Sequence, residues 1–342
     1  MNLLNISQFS HIDLRSEGEF EKSTIPNSVN LPILNDHEFQ AVGKKYKNNG
    51  QEAALKLGLE LVTGDLKKQR LRNWESHINL NNGCSIFCFR GGLRSKLAQE
   101  WLLEKKISID RISGGYKKVR NEILEQFSND QFYKKEWFIL GGLTGSGKTI
   151  LLNKFQQSVD IEGIANHRGS AFGRTSSIQT SCANFENKLM FNYINNKSSN
   201  ILLEDESRTI GKATLPNFWY NKMQSSNLIV LDINIEDRLT NIIDEYITLA
   251  LKENEDSDLL MNKYLNALEK IQKRLGGELY KKINDLIKNA FKNNSTEKHR
   301  LWIYELLENY YDPMYQHKLK IRDEDIIHRG GFDSCFDYIN SL

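Results

Sequence analysis

Two segments of this 342-residue chain have residue types and spacings that could do chemistry. The first is Cys88-Phe89-Arg90-Gly91-Gly92-Leu93-Arg94-Ser95. Gly91 and Gly92 permit the sharp backbone in which successive N–H groups point inward and form an anion nest. A helix opening just after the loop adds positive potential. The nucleophile is a thiolate rather than a thiol. This setting should lower the Cys88 pKa and hold a terminal anionic sulfur or selenium on it. Phe89, Arg90, Gly91, Gly92, Leu93 and Arg94 make up the expected cradle. The competing reading is a buried core cysteine after a strand. Cys84 reads as a bystander, or as the partner that resolves a disulfide with Cys88.

The other segment is Gly142-Leu143-Thr144-Gly145-Ser146-Gly147-Lys148-Thr149, which satisfies G-x-x-x-x-G-K-[ST] between an expected strand and helix. Its amides should cradle a diphosphate, with Lys148 neutralising the oxygens and Thr149 ligating Mg²⁺. Asp205, at the end of the apolar run Ile201-Leu202-Leu203-Glu204-Asp205, is the natural second Mg²⁺ residue. Glu204 and Glu206 flank it and leave that assignment open. The motif does not identify the diphosphate. ATP or GTP is the ordinary answer, but a prenyl diphosphate, whose pyrophosphate must be stabilised as it leaves, satisfies the same amides. His167, Arg168, Arg174 and Arg208 are candidate phosphate or substrate contacts, since arginine forks suit phosphate; solvated surface charge is the bland reading. Tyr310-Tyr311-Asp312-Pro313-Met314-Tyr315 could stack bases or sit in a core.

The elements that must position these loops alternate between strand and helix. Strands are expected at 11–15, 85–87 and 110–112, an edge strand near 25–32, and a helix over 51–62. Ser95 is expected to cap the helix after Cys88. After a polar boundary near 126–130, strands are expected at 137–140, 159–161, 201–205 and 228–232. Beyond 236 the pattern is helical, with one helix ending near Tyr311-Asp312-Pro313. The fold class is α/β, with one domain over 1–128 and another over 129–342, a parallel sheet with a helical elaboration.

Charged residues make up 26% of the chain and the net charge is +2, so no global basic field announces a nucleic-acid partner. Residues 41–72 nevertheless carry eight Lys/Arg against three Asp/Glu, and 84–120 carry nine against three. Such stretches can bind phosphate backbones. Four cysteines without paired spacing indicate neither a disulfide framework nor a zinc site and fit a cytoplasmic setting. No signal-like start and no membrane-length apolar run is expected.

The first domain resembles a rhodanese, on Asp13-Leu14-Arg15 with Glu19-Phe20, the Ile25-Pro26-Asn27-Ser28-Val29-Asn30-Leu31-Pro32 turn, the Cys88 loop and Gly114-Gly115-Tyr116. The domain after it resembles a P-loop NTPase domain. Taken in order with His167-Arg168-Gly169-Ser170-Ala171-Phe172-Gly173, Glu204-Asp205-Glu206-Ser207-Arg208 and the Tyr310–Tyr315 run, the chain is similar to the bacterial tRNA 2-selenouridine synthases over essentially its whole length. That resemblance implies replacement of sulfur by selenium in wobble 2-thiouridine, in the anticodon region of tRNA. It implies selenophosphate as donor, an S-geranyl intermediate made from geranyl diphosphate, and Cys88 as the essential cysteine. A selenophosphate-supplying enzyme would be a partner. Two rivals are an ATP-dependent tRNA sulfurtransferase with a Cys88 persulfide, and a nucleotide-dependent switch whose first domain only binds.

Overall fold

The computed structural model describes residues 2–81, 83–168, 170, 172–173, 178–252, 256–293 and 295–342. It divides into two compact units. The first comprises 1–133 and 181–195, the second 134–180 and 196–342. A boundary drawn at 128/129 from local composition does not anticipate that the Cys182–Asn195 helix returns to the first unit. Its anchors there are Asn184, which accepts from the Thr24 amide at 2.7 Å, and Asn187, which accepts from Arg120 at 2.9 Å.

In the first unit, β1 (His11–Asp13), β2 (Ser28–Asn30), β3 (Ser85–Phe87) and β4 (Asp110–Arg111) form a parallel sheet in the order β2-β1-β3-β4. β1 and β3 are buried along their whole length, as strands covered on both faces must be. Ile12, Leu14, Ile86, Ala98, Leu102 and Trp74 lie at the centre of the core. The expected helix over 51–62 is the latter half of a longer one, Asp36–Leu61, broken at Gly50, where φ is 81°.

In the second unit, β5 (Glu136–Gly142), β6 (Ser158–Val159), β7 (Asn200–Glu204), β10 (Asn227–Leu231) and β11 (Ile326–Gly330) form a parallel sheet, order β11-β10-β5-β7-β6. A small antiparallel pair, β8 (Thr209–Ile210) and β9 (Ala213–Thr214), lies apart from it. β5, β7 and β10 are apolar runs in the interior of the sheet. β11 alternates half-buried and exposed residues, the signature of an edge, and the apolar pattern of the sequence does not predict it. A helical lobe packs around Leu239, Tyr264, Ile283, Ile287 and Trp302. Its last helix does not end at Pro313. Thr296–Leu306 runs through a π-helical turn, Leu307–Tyr311, into Asp312–Ile321. Pro313 then occupies a first-turn position, where its missing N–H is tolerated.

Candidate functional site

Cys88 follows β3 directly and is buried, while Phe89 and Arg90 are exposed. The carbonyls of Cys88 and Phe89 accept from Tyr116 and Lys117 amides at 3.0 and 2.9 Å. Among the described residues, the amides of Phe89, Arg90, Gly91 and Gly92 have no acceptor. A chain with its carbonyls engaged and its amides open is what an anion nest requires. Two glycine contacts hold this shape. Gly91, at φ 64°, lies where a Cβ would come within 2.8 Å of the Gly114 amide nitrogen. Gly115, at φ 59°, lies where a Cβ would overlap the Cys88 carbonyl oxygen. The late Gly-Gly pair is therefore the floor under the thiol loop.

The helix begins at Leu93 with Gly92 as its cap, so Ser95 is inside the helix rather than its cap. Its hydroxyl donates to the Gly92 carbonyl at 3.1 Å and stands 3.3 Å from Cys88 Sγ. Arg94 is held by Glu19 through contacts of 2.5 and 3.0 Å, so its charge is spoken for locally. Arg90 keeps an exposed side chain beside the loop. Burial pushes the Cys84 thiol up to about 11.

The phosphate-type loop joins β5 to the Lys148–Leu152 helix. Gly145 and Gly147 have φ of 81° and 84°, and Gly142 one of 148°. Lys148 Nζ donates to the carbonyls of Gly142 and Leu143 at 3.2 and 3.4 Å, lying across the loop mouth. The loop is braced from outside. Arg238 Nε donates to the Thr144 carbonyl at 2.8 Å, and Asn241 Nδ2 to the Gly145 carbonyl at 2.9 Å. Arg238 is itself paired with Asp312 at 2.5 and 2.9 Å. Within the aromatic run, Asp312 thus serves the loop, Tyr311 is buried, and Tyr315 faces the adjoining cavity. Sequence reading misses Arg238 and Asn241, because the signal is a contact across about a hundred residues.

The cavity in front of the loop measures about 370 Å³, within the range of ligand pockets. Thr144, Gly145, Gly147, Lys148 and Thr149 line one side. Glu162, Glu206, Glu245, Arg168 and Tyr315 line others. The Asp244–Thr248 segment on its wall is π-helical, a distortion frequent at functional sites. Carboxylate oxygens of Glu162, Glu204 and Glu206 lie within 4.8 Å of one another. Glu204 accepts the Glu162 amide through one oxygen at 3.1 Å; its other oxygen is buried and has no partner among the described residues. Burial, then repulsion by Glu206, pushes the Glu162 carboxyl up to about 9, although Lys148 opposes the shift. Burial, then Glu162, raises Glu204 as well. Such a group of carboxylates is stable either protonated or around a cation.

Residues 135–342 match the family model described as the tRNA 2-selenouridine synthase AAA domain. The chain is 40% identical over 334 residues to the tRNA 2-selenouridine synthase of Sulfurovum sp. (strain NBC37-1), covering 93% of this chain and 91% of that relative. It is 39% identical over 343 residues to that of Shewanella frigidimarina (strain NCIMB 400), covering 96% and 93%. The chain belongs to the tRNA 2-selenouridine synthase family. It is therefore an enzyme of tRNA modification.

Within this family member the expected residues fall into place unevenly. Lys148, Thr149 and Arg168 come together at the cavity, Arg168 pairing with Glu245 at 2.8 Å. His167 adjoins Arg168 in sequence but does not line the cavity, and Arg208 is exposed and does not line it either. Arg174 lies outside the described residues. Asp205 also departs from expectation. β7 ends at Glu204, and Asp205 is buried against Lys318 and Arg322 at 2.9 and 3.4 Å. Glu206, not Asp205, lines the cavity. Among the described residues no helix is long and apolar enough to cross a membrane.

Proposed function

We propose that this synthase replaces the sulfur of wobble 2-thiouridine in tRNA by selenium, using one loop for each of two steps. At the Gly142 loop it binds geranyl diphosphate. The thiocarbonyl sulfur attacks the geranyl carbon, a C–S bond forms, the C–O bond breaks with its electron pair on the departing pyrophosphate, and the N3 proton of the base passes to solvent. Loop amides and Lys148 hold the leaving oxygens. Glu162, Glu204 and Glu206, with Thr149, would hold Mg²⁺, which when bound supplies the positive charge that brings a diphosphate beside three carboxylates.

At the Cys88 loop the alkylated base meets selenium from selenophosphate. Selenium attacks the base carbon, geranyl thiolate leaves with the C–S electron pair, and hydrolysis of the P–Se bond releases phosphate. The open amides would hold selenophosphate with its selenium beside Cys88 Sγ; no S–Se bond forms, so the step needs no oxidant. Alkylation is the physical key, since it converts a poorly displaced thiocarbonyl into a thioether. The rhodanese reading of the first unit fits its parallel sheet, with the thiol loop at the carboxyl end of β3. The basic stretches over 41–72 and 84–120 would meet tRNA phosphates. A selenophosphate-supplying enzyme would work upstream.

The observation that carries this reading is a thiol loop with open amides in the same chain as a lysine-crossed diphosphate loop. The test follows both steps with labelled geranyl diphosphate, selenophosphate and thiolated tRNA. Lys148→Ala is expected to lose geranyl transfer, and Cys88→Ser to lose selenium incorporation while keeping geranyl transfer. Normal function of either variant in its own step refutes that assignment. An alternative reading, a nucleotide at the Gly142 loop, draws on the AAA description of the matched domain. Competition between ATP and geranyl diphosphate separates the two.

A further inference from the structure

The chemistry above leaves another cavity unused. It lies in the first unit, measures about 370 Å³ and has a mostly apolar lining. Val42 and Tyr46 line it from one side of the Gly50 break, and Ala54 and Gly58 from the other. Leu97 and Trp101 come from the Leu93–Glu104 helix, which opens at the Cys88 loop. An open, mostly apolar cleft of this size is the kind of place where a small apolar group binds. Leu59 and Leu93 on its rim are both 42% exposed.

We propose that this cavity is the subsite for the isoprenyl chain of the S-geranyl-2-thiouridine intermediate; the proposal rests on the two-step reading above. Three observations choose the occupant. The first is volume. A ten-carbon chain fills about 300 Å³, taking ~30 Å³ for each unit the size of a water, against about 370 Å³ here. The next is position. Leu93 and Arg94 belong both to the cavity wall and to the helix start that closes the thiol loop, so an occupant with its tail inside carries its head toward the Cys88 amides. The third is charge. Lys44, Lys45 and Lys47 are exposed on the helix that walls the cavity. Together they suit a ligand with an apolar tail on a polyanion.

The consequence is selection. Each methylene buried is worth roughly fourfold in affinity, so the alkylated base binds in strong preference to the thiocarbonyl. The cavity would hold tRNA at the selenium step only after activation, and it would seat the thiolate that leaves.

The test uses the full chain and anticodon stem–loop RNAs bearing S-geranyl- or S-methyl-2-thiouridine at the wobble position. Binding of each is measured for the parent chain, Gly58→Leu and Leu59→Glu. A Cβ on Gly58 meets only Val42 Cγ2, at 3.8 Å, and leucine is the better helix former, so Gly58→Leu should fold and fill the cavity. Leu59→Glu changes a rim position and serves if the first variant does not fold. The parent is expected to prefer S-geranyl RNA by about 100-fold or more, and each variant by less than about tenfold, with S-methyl binding unchanged. If the parent converts S-geranyl RNA to selenouridine but both variants keep the full geranyl preference, the subsite is wrong and the two-step reading stands. If the parent cannot convert S-geranyl RNA, the two-step reading falls and takes the subsite with it.

Discussion

The Cys88 loop and the Gly142 loop share a plan: a buried parallel strand, a glycine turn, and a helix N-terminus. They differ in what braces them. The Cys88 loop rests on backbone. Gly114 and Gly115 lie so close beneath it that a Cβ at Gly91 or Gly115 would collide. The Gly142 loop is braced by side chains, Arg238 and Asn241, and behind them Asp312. Their surroundings differ too. Open amides and exposed Arg90 flank the thiol, whereas glutamates face Lys148. The Cys88 loop can hold an anion by itself. In the proposed reaction the Gly142 loop would need a cation to accept a diphosphate beside Glu162 and Glu206. Backbone bracing tolerates no added atom, while side-chain bracing can be trimmed in stages.

The largest expected effect breaks the backbone-braced side. Gly115→Ala forces a side chain into left-handed backbone, at about 1–2 kcal/mol, and onto the Cys88 carbonyl. Selenium incorporation should fall by about 100-fold or more, the scale of losing a preorganised donor. Geranyl transfer by the same variant should stay near the parent rate. Equal loss of both steps would erase the distinction between the loops. On the other side, chelation of divalent ions should stop geranyl transfer and leave RNA binding intact. Glu206→Gln should raise the Mg²⁺ requirement by about tenfold to 100-fold, read from titrations of geranyl transfer. A variant indifferent to Mg²⁺ places the cation elsewhere. Arg238→Ala sharpens the contrast further. It strands Asp312, and removing one partner of a buried pair costs about 3–5 kcal/mol. Its melting temperature should drop, and its KM for geranyl diphosphate should rise more than its kcat falls.

How far the sequence reveals this arrangement depends on the range of the contacts. Both loops are legible because strand, turn and helix follow one another within a dozen residues. The proposed metal residues are less so. Asp205 follows an apolar run and looks like the acid at a strand end, yet Lys318 and Arg322 neutralise it from 113 and 117 residues away. No local pattern reports that. The Glu162–Glu204–Glu206 group likewise joins two segments. The Cys182–Asn195 helix returns to the first unit through Asn184 and Thr24, 160 residues apart. β11 escapes because His328, Arg329 and Gly330 interrupt its apolar pattern, as an edge position allows. Pro313 misleads for the opposite reason. Proline locally reads as a stop, and the π-turn before it lets the helix continue.

The smallest expected effect concerns the helical lobe on which the Arg238–Asp312 brace depends. His299 is buried there, its Nδ1 accepting from Trp302 Nε1 at 3.0 Å, with Phe291 edge-on at 4.7 Å. Burial pushes its pKa down to about 4. The imidazole is therefore neutral in the fold while the unfolded chain titrates near 6.5. Between those values the unfolded state binds the additional proton, so stability is complete above about 6.5 and is lost as pH falls through the window toward about 4. After discounting for partial solvent screening, the loss should be about 1–2 kcal/mol, or a few degrees in melting temperature. His299→Gln retains an acceptor for Trp302 without a proton to bind. Its melting temperature should fall less than the parent's between pH 7 and pH 4.5, and parallel curves would show that His299 does not carry the acid sensitivity of this lobe.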